Sequence, residues 1–313
     1  MTRITVLIVE KKSANTLICV CGPTAVGKTT IAIAIAQHFQ CEIISFDSRQ
    51  FYRELSIGTA VPNANELAAA KHHFIHDRSI NNSVNAGSFE KEALAKLEEL
   101  FSQNPIVVAV GGTGLYLRAL LEGMDDLPPI PGEIRQGILA DYERVGLSFL
   151  QDELARLDPV YWQKVDQKNP QRLIRALELL RHSGKFMDTL QKAEKKHRPF
   201  KAIKIGLNID RPDLYERINK RVDLMFDAGL IEEVKSLQDY RQENALQTVG
   251  YSELFRHFKG ELSQEEAQNE IKKNSRRYAK RQLTWFRRDT EITWFSPLQK
   301  EAIIEFLNSS LDA

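Results

Sequence analysis

No run in this chain approaches the roughly 18 to 20 consecutive apolar residues that a membrane-spanning helix needs, so the sequence offers no candidate for one. Residues 1–16 lack the charged start, long apolar stretch and cleavage site of a signal peptide, and the expected location is the cytoplasm, away from any membrane. Cysteine is scarce. Cys19, Cys21 and Cys41 form no C-x-x-C pair, which argues against a zinc site or a disulfide framework and leaves them as small core residues. His72, His73 and His76 have no thiol or further His at fixed spacing, so packing or surface roles are preferred over zinc. Net charge is nearly absent too, at +1, which excludes a molecule that holds nucleic acid by overall charge. Acids are missing where it matters, however. Residues 272–288 contain none, while Lys272, Lys273, Arg276, Arg277, Lys280, Arg281, Arg287 and Arg288 alternate there with Tyr278, Trp285 and Phe286.

What the chain does have is a complete G-x-x-x-x-G-K-[ST] loop, Gly22-Pro23-Thr24-Ala25-Val26-Gly27-Lys28-Thr29. The apolar run Leu17–Val20 before it reads as a buried strand, and Ile31, Ile33 and Ile35 with their alanines read as a buried helix after it. In that setting the loop amides and helix N-terminus cradle anionic oxygens, Lys28 neutralises charge and the Thr29 hydroxyl can hold Mg²⁺. A nucleoside triphosphate such as ATP and other phosphate compounds are all admitted by the loop alone.

The fold expected is α/β, a P-loop NTPase-like parallel sheet flanked by helices with an inserted helical domain. At 313 residues the chain has room for about two domains. Glu42–Phe46 reads as a second strand ending at Asp47-Ser48, and Ile106–Val110 as a third running into Gly111-Gly112-Thr113-Gly114 and a helix from Leu115. After Gly123 the texture changes to a stiff linker, Leu127 to Gly132, and then a helical pattern to about Pro199. The expected division is therefore 1–122 with 201–313 as the P-loop core and its basic C-terminal helices, and 123–200 as the insertion. The core resumes with a strand over 202–209, a long amphipathic helix through Leu237, a basic helix over about 264–288, a strand at 292–295 and a terminal helix.

Several residues stand where chemistry is done. Asp47, at the end of the strand expected beside the loop, is placed to orient Mg²⁺ or to take a proton, although an Asp there also caps turns. Thr113 offers a hydroxyl from a glycine turn that is by itself a weak signal. Arg217 and Arg221 lie four apart on a predicted helix over 213–229, so two guanidinium groups leave one face and suit a diphosphate, or form a solvated face. Arg172 and Arg175, within Gln171-Arg172-Leu173-Ile174-Arg175, sit at i, i+3 in a stretch (164–201) with eleven Lys/Arg and four acids, whereas 125–163 holds eight acids and three Arg. Cations mixed with aromatics at the density of 272–288 suit single-stranded RNA, the alternative being a helix whose aromatics point into the core.

Together the loop, Asp47–Tyr52, Ile57–Pro62, Gly111–Tyr116, Pro170–Glu178, Val249-Gly250-Tyr251 and Arg281–Arg287 resemble, in order, the tRNA dimethylallyltransferases of bacterial type. The resemblance implies transfer of a dimethylallyl group from dimethylallyl diphosphate to N6 of the adenosine immediately 3′ of the anticodon, with Mg²⁺ and release of diphosphate, by a monomer. It further implies that Asp47 accepts the amine proton, that Lys28, Thr29 and the loop bind the leaving group with Arg217 and Arg221, and that Thr113 and Arg135 lie near the reacting base. By the same resemblance Asp47-Ser48-Arg49-Gln50, Gln171 to Arg175, Gln247-Thr248-Val249-Gly250-Tyr251-Ser252 and Arg281 line the path of the anticodon stem-loop, and the insertion closes over the anticodon arm. The zinc-finger extension of eukaryotic relatives is not expected. Val61, Ser88 and Asn169 depart from the family pattern, where a basic residue, an acid and an Asp are usual. The competing readings are a P-loop kinase of a small metabolite, an adenylate isopentenyltransferase acting on free AMP, and a tRNA-binding protein without catalysis. The later motifs argue against the first. Gly58-Thr59-Ala60, Gly112-Thr113-Gly114 and the basic insertion argue against the second, and intact Lys28, Thr29 and Asp47 against the third.

Overall fold

The computed structural model describes residues 15–190 and 194–312, so the expectation for the first sixteen residues lies almost wholly outside the described residues. Two compact units are present, one holding the chain up to Glu122 and from His197 onward, the other Gly123–Lys196. The chain returns to the first unit at 197 rather than 201 because the Arg198 guanidinium is bonded there to Glu90 (2.8 Å) and to the Ala119 carbonyl (2.9 Å).

The first unit is built on six parallel strands: β1 (Thr16–Cys21), β2 (Ile43–Ser45), β3 (His72–His73), β4 (Ile106–Gly111), β5 (Lys201–Leu207) and β6 (Thr293–Phe295), in the order β3-β2-β4-β1-β5-β6. Helices cover both faces, which is why β1 reads as an unbroken apolar run. Leu17 through Cys21 have no exposed surface, as a sheet buried on both sides requires. Ile31, Ile35 and Ala36 of the helix Lys28–Phe39 and Leu214 and Ile218 of the helix Arg211–Asp227 join the same core. All three cysteines are buried as free thiols, and burial pushes Cys21 and Cys41 up to about 12.

β1 lies between β4 and β5, so strand order reverses at its carboxyl end, where the loop begins; this is the position at which open parallel sheets bind ligands. Two sequence expectations need correction. The strand at 106–110 expected as the third is the fourth, because β3 is only two residues long and pairs at the edge, too short for a periodicity signal. The single helix expected through Leu237 is two, Arg211–Asp227 and Leu230–Ser236, because Gly229 takes a left-handed φ of 97° between them.

The second unit consists of helices alone among its described residues, chiefly Gly132–Val145, Leu147–Leu157 and Pro170–Ser183, around a core of its own that includes Ile138, Leu150, Leu154, Leu173, Ile174 and Leu177. Asn169 does there what an Asp would, accepting from the Arg172 amide at 3.3 Å to cap the helix Pro170–Ser183. Ser88 likewise completes a capping box with Asn85 at the start of the helix Ala86–Phe101.

Candidate active site

The helix after the phosphate loop is left open at its N-terminus. Gly27, at φ 103°, supplies no side-chain cap and the first turn holds no acid, whereas Asn63, Asn85 and Ser263 close other helices with capping boxes. Unsatisfied amides and the positive end of the helix dipole therefore face the end of the sheet, as anion binding requires.

They open into a cavity of about 430 Å³ that Lys28, Thr29, Asp47, Arg217 and Arg221 all line. Lys28 Nζ donates to the carbonyl of Pro23 in its own loop at 2.8 Å. Burial pushes the ammonium down to about 8, Asp47 working against that fall and Arg221 adding to it. Arg221 donates to Thr24 Oγ1 at 3.3 Å, and its own burial lowers its pKa despite the nearby Asp47 and Glu66 carboxylates. Arg217 is exposed at the rim, one turn away. Ala60, Pro62, Val222, Leu224, Met225 and Val249 give the same cavity an apolar wall. A charged floor thus continues into a hydrocarbon-lined space.

Asp47 follows β2, and its Oδ1 accepts from the Arg49 amide at 3.0 Å, which turns the chain and fixes the carboxylate. Beside it the Ser48 amide donates to Thr113 Oγ1 at 3.0 Å, and Thr113 Oγ1 donates to Ser48 Oγ at 3.3 Å. Tyr278 also hydrogen-bonds the Thr113 side chain; burial raises the phenol's pKa and Asp47 raises it further. With Ser48 and Tyr278 on its hydroxyl, Thr113 holds neighbouring residues in place. Arg49 reaches the Asn244 carbonyl at 2.8 Å, and Gln50 donates to the Thr59 and Ala60 carbonyls at 3.2 and 3.1 Å. Asp47, Arg49, Gln50, Thr248, Val249 and Gly250 meet on the cavity wall, although they come from segments nearly two hundred residues apart.

Some expected contact residues face inward. Tyr251 has no exposed surface; its ring fills the space that Gly58 leaves, where a Cβ would come within 2.5 Å, and its hydroxyl donates to Glu233 at 2.6 Å. Leu173 and Ile174 are buried in the second unit's core, since they occupy the apolar face of an amphipathic helix, while Gln171, Arg172 and Arg175 stay outside. Tyr251, Leu173 and Ile174 are therefore withdrawn from the surface that the motif pattern suggested. Gln247 is exposed and bonded to the Arg241 carbonyl at 2.7 Å, and the Ser252 hydroxyl donates to the Thr248 carbonyl at 3.1 Å. Arg281 is exposed, its guanidinium 5.7 Å from the Tyr278 ring centroid. Arg135 lies in the second unit, where it and Arg175 share the buried carboxylate of Glu178 at 2.6 and 3.0 Å.

Three residues that the sequence did not single out organise these groups. Glu233 accepts from the Ser56, Ile57 and Gly58 amides at 3.0, 2.8 and 3.0 Å as well as from Tyr251. Glu178 is one, and its only sequence signal is an acid isolated among leucines. The third is Gln282, 6% exposed, whose side chain accepts from the Thr24 amide at 2.8 Å and donates to the Gly112 carbonyl at 2.9 Å. Its place in the Arg281–Arg287 motif, on one helix face with Tyr278 and Trp285, was the available hint.

The donors fit a hard cation. The Thr29 hydroxyl and the Asp47 carboxylate border one anion site, the oxygen chemistry that Mg²⁺ takes together with substrate phosphates. Among the described residues, no group of three or more His, Cys, Asp or Glu is arranged to hold a metal ion, and no helix is long and apolar enough to cross a membrane.

The IPP transferase family model matches residues 50–289, beginning after the phosphate loop. A tRNA dimethylallyltransferase of Christiangramia forsetii is 50% identical over 300 residues, covering 96% of this chain and 99% of that protein. The crystal structure of the full-length tRNA isopentenylpyrophosphate transferase of Bacillus halodurans superposes with a TM-score of 0.71 at 34% identity, over 95% of this chain and 97% of the other. A eukaryotic dimethylallyltransferase captured acting on tRNA gives a TM-score of 0.70 at 27% identity, over 87% and 69%. With a parallel sheet, an open phosphate loop and these relatives, the chain belongs to the IPP transferase family of enzymes.

Proposed function

We propose that the protein transfers a dimethylallyl group from dimethylallyl diphosphate to N6 of the adenosine 3′ of the anticodon in tRNA, acting as a monomer. One observation carries this reading: the anion site and Asp47 share a cavity in which Ala60, Pro62, Val222, Leu224, Met225 and Val249 form an apolar stretch of wall. A phosphoryl acceptor of a small-metabolite kinase has no use for that wall, and a prenyl chain does.

In the reaction the N6 nitrogen attacks C1 of the donor, the C1–oxygen bond breaks, and the diphosphate leaves with the bonding electrons. An exocyclic amine is a weak nucleophile, so its proton passes to the Asp47 carboxylate as the C–N bond forms. Lys28, the open helix terminus, Arg221 and Arg217 stabilise the charge that grows on the departing oxygens. The Thr29 hydroxyl would hold Mg²⁺, which when bound would supply further neutralisation of that diphosphate. Thr113 acts by fixing Ser48 and Tyr278 beside Asp47.

The base has to leave the anticodon stack to reach this cavity. Asp47 to Gln50 and Gln247 to Gly250 border its entry, with Ser252 beside them, and Arg281 faces RNA from the outer side of the basic helix. Arg135, Gln171, Arg172 and Arg175 serve as RNA contacts on the second unit, which we assign as the tRNA-contacting insertion.

With Mg²⁺ and radiolabelled dimethylallyl diphosphate, the protein is expected to label an anticodon stem-loop carrying three consecutive adenosines after the second anticodon position, and not free AMP. Equal labelling of AMP would overturn the tRNA assignment. In the same assay Asp47→Asn is expected to lose about a hundredfold or more in rate while RNA binding is retained; an unchanged rate removes Asp47 from the proton transfer.

A further inference from the structure

We infer that Gln282 is a positioning residue that sets the distance between the leaving-group site and the proton acceptor. Its side chain joins two turns at the ends of adjacent strands: the phosphate loop after β1, through the Thr24 amide at 2.8 Å, and the glycine turn after β4, through the Gly112 carbonyl at 2.9 Å. The second turn in its turn holds the Asp47 segment, because Thr113 accepts from the Ser48 amide. A path of hydrogen bonds therefore runs from loop to Gln282 to glycine turn to Asp47.

The geometry is built for this side chain. A Cβ on Gly112 would stand 2.2 Å from Gln282 Nε2, and one on Gly114 would stand 2.1 Å from the Trp285 ring. The glycines of the turn thus admit the inner face of the helix Gln264–Phe286. Gln282 is nearly fully buried and both ends of its amide are engaged, in the one orientation that satisfies a donor and an acceptor. It also occupies the Thr24 N–H. That amide is consequently removed from the set available to the diphosphate, and both polar ends of the Gln282 side chain are spent on the two turns.

Bond formation and leaving-group departure occur on opposite sides of one carbon, so their supports have to keep a fixed separation. A misplacement of about 1 Å costs on the order of a hundredfold in rate. Each support alone still binds its own partner. The signature of Gln282 is accordingly a change in kcat with little change in binding.

This inference rests on the prenyl-transfer reading, and the test separates the two. Gln282→Met, close in shape but without either hydrogen bond, is expected to lower kcat by about thirtyfold or more. Dissociation constants for inorganic diphosphate and for the anticodon stem-loop are expected to stay within about threefold, the mark of lost positioning alone. Gln282→Glu retains an acceptor for Thr24 but opposes the Gly112 carbonyl with another acceptor, and should fall between. Unchanged kcat in Gln282→Met, or a kcat loss matched by equally weakened diphosphate binding, overturns the positioning role. If Gln282→Met shows no melting transition, Gln282→Glu decides on the same criteria. A wild-type protein that transfers no prenyl group sinks the functional reading instead. The brace is then read by hydrogen exchange at the Thr24 amide, expected to be faster in Gln282→Met than in wild type, and equal rates refute it.

Discussion

Lys28 reaches back to a carbonyl of its own loop, and a diphosphate has to displace that contact. The free ammonium titrates near 8 rather than at its ordinary 10.5 because it is buried. A polyanion placed beside it favours the charged form, so binding at about pH 9 draws a proton and affinity declines as pH rises through 8. Calorimetry with inorganic diphosphate in two buffers of different ionisation enthalpy is expected to show this uptake, and Lys28→Arg to abolish it. Folding has the opposite sign: between about 8 and 10.5 the unfolded chain holds the proton that the native one has released, so this group adds stability to the unliganded protein as pH rises. Lys28, Thr29 and Asp47 were legible in the sequence because their meaning is local, a loop pattern and a strand end. Gln282 was not, since its partners lie 258 and 170 positions away and nothing in its neighbours encodes them.

At the scale of elements, the helix Leu230–Ser236 serves the site through one side chain. Glu233 receives three successive amides of the 56–58 turn and the Tyr251 hydroxyl, joining the Ile57–Pro62 and Val249–Tyr251 motifs. In the sequence Ile57–Pro62 stood as a family motif and Val249–Tyr251 as part of the RNA path, and what joins the two is the packing of Gly58 against Tyr251. Glu233→Ala leaves these partly buried donors without an acceptor, and a loss of about 2 kcal/mol in urea denaturation is expected, with Glu233→Gln losing less. A shift in midpoint no larger than that of an exposed substitution would show that water replaces the carboxylate. The helix break at Gly229, where the predicted helix carrying Arg217 and Arg221 was already expected to end, places Glu233 on a helix of its own.

At the scale of the whole molecule, the insertion was visible as a change of texture, whereas the strand order was not, because β2, β3 and β6 are each two or three residues long. Each unit has a core of its own. The ends of the second lie together, a Cβ on Gly123 coming within 2.6 Å of the Lys196 side chain. Replacing 123–196 by a short Gly-Ser bridge is therefore expected to leave a protein that melts cooperatively and binds inorganic diphosphate, with RNA affinity reduced at least about tenfold through lost phosphate contacts. Undiminished RNA affinity would show that the first unit alone holds the stem-loop. The link between Thr24 and Gln282 has a further consequence during synthesis. The phosphate loop leaves the ribosome well before its brace, which is made 258 residues later. At about 5 to 20 residues per second, the loop waits on the order of 13 to 50 seconds before it can take its working shape, so a nascent chain carries the motif well before it carries the site.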